Sequence, residues 1–426
     1  MLPRSQALKY GSWILLSLVA VLAVSNVLTP LRITTDSFRY LNIMEYLEGK
    51  LGPDSYAAAD FYPYGYPRLL QLLHKWHLLN AAVLVAINIG AVAGATYIFT
   101  KLFDVKNKLL FFSFVLLSFV NVKHFTLPVA DQLFTLVFMG GIYCAKKGFE
   151  KKFGWFVAAF FLAMIAFYLR TAGIVMFAGL GFYLLYLGNQ RIKAYKYRRR
   201  VLVTVLVLIA GGIVAALCAL RHKASYVDQL ALNELISRPL SINARLRYHF
   251  KELGEMAVNI PVSQLESRIH WGGLANIFIF AGAIVGYIIF RRVYALRLYK
   301  MFPFWVMLAY AMMIFVWPFY DTRFLIPFIP FALYCLFPQF NKEGRPGYFM
   351  TAGAIVYVGL GLLSLTYSAM LSTNKSKFLK YYGNEPKLTK VYQAHFDKQD
   401  IGQQASAHTD HDTMGRTLYL LDEYDK

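Results

Sequence analysis

Five residues in this chain set a reactive or ionisable side chain against apolar surroundings: Asp36, His124, Asp131, Arg170 and Arg323. Keeping such a group beside long apolar runs is costly, so each invites a functional reading. Asp36 stands in Thr34-Thr35-Asp36-Ser37-Phe38-Arg39-Tyr40. A carboxylate there can take a proton from a bound hydroxyl or amine. Asp at that point also suits a helix N-cap. Asp131 follows Pro128 and precedes an apolar run. With Asp36 it can hold a divalent cation or orient an acceptor, or it can cap its own helix. His124 can hydrogen-bond a phosphate or a sugar, or satisfy a local contact. Arg170 lies in Leu169-Arg170-Thr171-Ala172-Gly173, and Arg323 in Asp321-Thr322-Arg323-Phe324-Leu325-Ile326-Pro327. Arginine clamps phosphate through two parallel hydrogen bonds. The plainer readings are a snorkelling interfacial arginine and, for Arg323, a structural pair with Asp321. Tyr40, Tyr62, Tyr64 and Trp76 can stack on a sugar or a prenyl chain; they also suit interfacial anchoring, Trp76 above all.

Composition says what must position these groups. The chain has 426 residues, 58% hydrophobic, 17% aromatic and only 16% charged. A soluble domain carries about 25% charged residues. Spanning helices need roughly 20 apolar residues. Eleven runs qualify as candidates: Trp13–Leu28, Leu78–Phe99, Leu109–Val120, Leu133–Ala145, Trp155–Leu169, Ala172–Leu187, Val201–Leu220, Gly273–Phe290, Phe302–Phe319, Phe324–Phe337 and Tyr348–Ser368. The third, fourth and tenth are short. The expected fold is therefore an all-α polytopic membrane protein with about eleven transmembrane helices.

Charge orients it. With the N-terminus inside, the inner loops collect 21 basic and three acidic residues, against 23 basic and 20 acidic outside. Basic residues concentrate in short cytoplasmic loops, so the pattern predicts N-in and C-out. The net charge of +21 falls in these clusters between apolar runs. A nucleic-acid binder gathers its charge on one folded face, so no nucleic-acid partner is expected. Ala23-Val24-Ser25 loosely resembles a cleavage site, and the first span can be read as a signal peptide without altering the rest. Cys144, Cys218 and Cys335 sit in apolar runs as small core residues. No Gly-rich phosphate loop and no internal repeat appears.

Residues 1–368 read as one transmembrane domain with two long outer segments, 30–77 and 221–270, followed by an outer C-terminal tail, 369–426. In the first segment Phe38–Leu47 and Pro67–Trp76 have helical spacing, joined by a turn with Pro63, Gly65 and Pro67. Such short amphipathic helices suit the membrane surface. The second segment has helical stretches at Tyr226–Ile236 and Asn243–Met256. The tail is too small for an independent catalytic domain.

The order of these motifs resembles the glycosyltransferase C superfamily, in the branch of bacterial protein O-mannosyltransferases and aminoarabinose transferases. Asp36 matches the catalytic Asp of the family's first outer loop. Tyr62-Pro63-Tyr64-Gly65-Tyr66-Pro67 resembles its Tyr-Pro-Pro-Gly-Tyr-Pro turn, with Tyr64 in place of the second Pro. Asp131 matches a second acidic residue between spans three and four. Leu169–Gly173 resembles an Arg-x-x-Gly step, and Arg323–Pro327 an Arg-Tyr-Leu-Leu-Pro element. The likeness covers roughly residues 1 to 340. There is no Asp-x-Asp pair at Asp36, which leaves divalent-cation use by Asp36 and Asp131 open, and the tail has no family counterpart. The resemblance implies an inverting transfer of a sugar from a polyprenyl-phosphate carrier to a lipid, glycan or protein acceptor. It would take place at the periplasmic face of a bacterial inner membrane, with Asp36 as general base and Arg170 and Arg323 on the donor phosphate. A transporter or lipid flippase, and a glycan polymerase or ligase using the segment 221–270, are the other readings.

Overall fold

The structure, a computed structural model, describes residues 4–150, 152–189, 211, 242–317, 319–341, 347–382, 386–398 and 408–425. The basic run Arg191–Arg200, the seventh expected span apart from residue 211, the stretch Tyr226–Ile236 and the tail segment Gly402–Ala407 lie outside the described residues.

Among the described residues all regular structure is helical. Five helices among the described residues are long and apolar enough to cross a membrane: Lys9–Leu28, Ala81–Leu102, Thr171–Gly188, Leu274–Ala295 and Tyr348–Thr373. A sixth is formed by Lys108–Leu116 and Phe119–Phe125 if that pair, bent by 62°, counts as one span. Where spans are expected at Trp155–Leu169 and Phe302–Phe319, the structure has shorter apolar helices, Gly154–Leu169 and Phe302–Val316. The run Phe324–Phe337 is not one helix. A 3-10 turn covers Thr322–Leu325, and a helix starts only at Ile329 and ends at Leu336. Pro327 and Pro330 explain the break, because each lacks the N–H that an α-helix interior needs.

The helices that position the site are α1 (Arg4–Ser25), α2 (Thr35–Leu47), α3 (Gly65–Lys75), α4 (Ala81–Leu102), α5 (Lys108–Leu116), α6 (Phe119–Phe125), α7 (Asp131–Glu150), α8 (Gly154–Leu169) and α9 (Val175–Asn189). After the undescribed stretch come α10 (Ile242–Val258), α11 (Val262–Ile269), α12 (Leu274–Ala295), α13 (Phe302–Val316), α14 (Ile329–Leu336) and α15 (Tyr348–Thr373). Within the bundle α4 packs on α7, α7 on α8, α9 on α13, and α10 along α12. The free cysteines Cys144 and Cys335 are buried in it. Away from the site, Phe99, Phe103, Phe111, Phe340, Phe114 and Tyr357 form a continuous aromatic core. Rings of this size contribute most of the buried apolar area in such a core.

One end of the bundle, here called the loop face, carries the connection between α1 and α4. Its two helices match the expected ones. Asn374 caps a second group on the same face, the tail helices α16 (Lys375–Tyr381), α17 (Pro386–Asp397) and α18 (Thr413–Tyr424).

Candidate active site

The site is built on the first turn of α2. Thr34, not Asp36, is the N-cap: its N–H donates to Ser37 Oγ at 2.5 Å, and its hydroxyl lies 3.0 Å from the same atom. Thr34 therefore fills the capping role, which leaves the Asp36 carboxylate for other partners. Tyr62 donates its hydroxyl to Asp36 Oδ1 at 2.9 Å. Arg323 Nη1 donates to Asp36 Oδ2. Arg323 stands 287 residues further along the chain, on the 3-10 turn that the prolines isolate from α14. Asp321 shapes that turn. Its Oδ1 accepts the Arg323 backbone N–H at 3.0 Å, and its Oδ2 lies 3.0 Å from Arg323 Nε.

A second pair stands beside the first. Arg170 Nη1 donates to Asp131 Oδ1. Asp131 opens α7, and Arg170 follows the last residue of α8 in extended conformation. The reversal after α8 is tight: the Gly173 N–H reaches Arg170 O at 2.8 Å. A Cβ on Gly173 would lie 2.3 Å from Phe167 N, so no side chain fits. The two arginines share one ring, since each guanidinium carbon is 5.3 Å from the Phe324 centroid. That arrangement is a double cation–π contact.

The Tyr-Pro-Tyr-Gly-Tyr-Pro turn brings Tyr62 in. A Cβ on Gly65 would stand 2.4 Å from Tyr168 O, so glycine alone lets the turn seat on the end of α8. Arg39 backs Tyr62 from the other side, 4.0 Å from its centroid, while gripping Asp60 with contacts of 2.7 and 2.8 Å. Tyr40 is buried behind, 5.2 Å from the Tyr62 ring and 5.1 Å from Tyr66.

Charge fixes the protonation of the cluster. Burial, and then the negative charge of Asp36, push the Tyr62 phenol well above its ordinary value. It stays protonated at neutral pH and donates. Burial works against the Arg323 cation, but Asp36 and Asp321 together raise its affinity for the proton. Burial alone would raise the Asp321 carboxyl; the adjacent Arg323 outweighs it and holds the group below the usual carboxylate range. Arg323 is thus a permanent cation between two carboxylates.

Of the residues singled out from the sequence, Asp36, Tyr62 and Arg323 touch, Asp131 and Arg170 form the neighbouring pair, and Tyr40 supports Tyr62. Others stand apart. The His124 ring is buried and its Nδ1 donates to Val120 O at 2.7 Å, the local contact that a helix offers its own side chain. Tyr64 stands at the start of α3, where its backbone carbonyl accepts the Arg68 N–H at 2.9 Å. Trp76 is exposed beyond the end of α3. The Asp36 and Asp131 carboxylates are each engaged by an arginine, and among the described residues no group of three or more His, Cys, Asp or Glu is arranged for a metal. The donor set does not fit a divalent cation.

Phe324 and Arg39 were missed as site residues, although both flank residues that the motifs picked out. The support from α10 was missed too. His249 Nε2 contacts Trp317 O at 2.9 Å and its Nδ1 contacts Glu252 Oε2 at 2.8 Å, holding the start of the Arg323 connection. The i, i+3 spacing of His249 and Glu252 was the available signal. An open cleft of about 500 Å³, lined by Leu47, Glu48, Lys50, Gln71 and His74 among others, lies at the far end of α2.

No protein-family model matches the chain, and no curated protein matches its sequence. What the fold and the site define is a chain whose described residues are all-helical in their regular structure, with several helices able to cross a membrane, carrying a cluster of two carboxylate–arginine pairs at one end.

Proposed function

We propose that the protein is an inverting membrane glycosyltransferase. It moves a sugar from a polyprenyl-phosphate carrier to a hydroxyl or amine acceptor at the extracytoplasmic face of a bacterial inner membrane. This reading includes eleven spans with the N-terminus inside, which places the loop face outside. One observation carries it: Asp36, from the first loop, meets Arg323, from a distant turn, with Arg170 on the other flank of a shared ring. A lipid-linked phosphate needs cationic groups at headgroup depth, and both arginines stand at the ends of apolar helices.

The chemistry follows from exchange of partners. The donor phosphate draws Arg323 and Arg170 from their carboxylates, which frees Asp36. The acceptor oxygen then bonds to the anomeric carbon as the bond from that carbon to the phosphate oxygen breaks. The bonding pair leaves with the polyprenyl phosphate, whose added charge Arg323 and Arg170 stabilise. The acceptor proton passes to Asp36, and one displacement inverts the configuration. Tyr62 holds the carboxylate by its hydroxyl and so sets which oxygen faces the acceptor.

The test is transfer by purified Asp36→Asn from a prenyl-phosphate-linked sugar. The variant should keep its fold and lose on the order of 10²–10⁴ in rate. Near wild-type transfer would remove Asp36 as the base. Failure of the wild type to consume any prenyl-linked sugar would remove the enzyme reading.

A further inference from the structure

The tail returns to the first loop and completes it. The Leu31 N–H donates to Asp425 Oδ1 at 2.7 Å, and the Ile33 N–H to Tyr392 Oη at 2.8 Å. Further along the loop, the N–H groups of Tyr56 and Ala57 donate to the Asp410 carboxylate at 3.0 and 2.8 Å. Four backbone donors of the first loop thus find their acceptors on tail side chains. A buried backbone donor left without an acceptor is strongly disfavoured, so the loop depends on the tail for its form. Arg32 adds to the joint, reaching Ser372 Oγ at 2.9 Å and lying 5.5 Å from the Tyr382 ring.

At the centre of the joint is Arg416 of α18. Its Nη2 donates to Glu45 Oε2, and its Nε donates to Asn42 Oδ1 at 2.8 Å. Tyr424 donates its hydroxyl to the other oxygen of Glu45. Both side chains of the ion pair are 0% exposed. An ion pair this deeply buried adds little net stability, because desolvation offsets its attraction; it does fix geometry, because both charges must stay paired. Glu45 and Asp36 share α2. At about 100° per residue they project from opposite faces, separated by roughly 13 Å along the axis. The helix is held at one end by Arg323 and at the other by Arg416.

We infer that the C-terminal tail is a working part of the transfer site, with Arg416 as the positioning residue that sets α2 and so aims the Asp36 carboxylate at Arg323. This rests on the glycosyltransferase reading. A misplacement of about 1 Å at a reacting group can cost on the order of 10²-fold in rate. Arg416→Gln should therefore lower kcat by about 10- to 100-fold. The KM for the prenyl-phosphate donor should change by less than about threefold, because Arg170 and Arg323 are untouched. The double variant Glu45→Gln with Arg416→Gln replaces the ion pair with two amides and should recover most of the lost kcat.

The experiment measures transfer and amide hydrogen exchange on the full-length protein and both variants. Faster exchange at the α2 amides by about tenfold in Arg416→Gln, with the kcat loss, supports the inference. Unchanged α2 exchange and unchanged kcat overturn it. If the wild type transfers no sugar while the variant still loosens α2, the grip of the tail stands and the transfer reading is what fails. If Arg416→Gln does not fold, the wild type decides: α18 amides protected as strongly as those of α2 support the inference, and α18 amides exchanging as in a free chain overturn it.

Discussion

Two arginine–carboxylate pairs hold the same helix, and they differ in one respect that assigns their roles. Asp36 and Arg323 keep 16% and 17% of their side-chain surface exposed. Glu45 and Arg416 keep none. A partly exposed pair can exchange one partner for an incoming anion, since water and ligand both reach it. A sealed pair cannot, because parting its members strands a charge in a low-dielectric interior. The first pair is suited to chemistry and the second to architecture, although the residue types are alike. Residue type alone would have made them equivalent.

The comparison can be broken from the exposed side first. Arg323→Ala should lower transfer by about 10²- to 10³-fold, the scale of losing one group that stabilises developing charge. The melting temperature should shift little, and circular dichroism with thermal unfolding checks that. If melting falls as far as it does for Arg416 variants, the two pairs do not differ in kind. The sealed side gives the next effect. Arg416→Leu removes the main partner of buried Glu45 and leaves it only Tyr424 and, at 3.5 Å, Lys50, which should destabilise by about 3 kcal/mol, the low end for breaking a buried pair; thermal or denaturant unfolding in a fixed detergent measures it. Gly65→Ala should cost about 1–3 kcal/mol, the range for overpacking. The added Cβ meets backbone at Tyr168, not a movable side chain, and the loss should appear in both stability and transfer because the Tyr62 turn is displaced.

The smallest effect is a pH dependence of the tail joint. His395 lies between Asp422 and Asp425, with Nδ1 at 2.6 Å and Nε2 at 3.1 Å from their carboxylates. Burial lowers its affinity for the proton, but the hydrogen bonds to Asp425 and Asp422 outweigh that and raise the folded-state value above 6.5. The stabilisation is therefore complete below the unfolded value and is lost as pH climbs through the raised folded one. Protease resistance of the tail should weaken from pH 6 toward alkaline pH, and His395→Gln should flatten that dependence. A profile that stays steep in the variant would show that another group governs the joint.

Much of the reactive cluster could be read from local pattern. Arg170 and Arg323 each interrupt or border an apolar run, Asp36 follows the first run within the opening loop, and the two loop helices show helical spacing. Asp36 offered two local readings, cap or reactive group, and the structure decides by giving the cap to Thr34. His124 and Tyr64 show the limit of such reading. Their types suit a ligand, but His124 Nδ1 is taken up by a carbonyl of its own helix and Tyr64 serves to open α3. The run Phe324–Phe337 has the composition of a span, and its two prolines were the signal that it would break.

The sequence by itself determined the class of the protein: apolar runs long enough to span, basic clusters between them, and a few ionisable residues at their ends. These are local properties, set by burial cost and helix periodicity. Only the tertiary structure decided which charges meet. Glu45 and Arg416 stand 371 residues apart, and nothing in either neighbourhood names the other. Pairing at that distance depends on how whole helices dock, and the tail became part of the site only when α18 packed against α2.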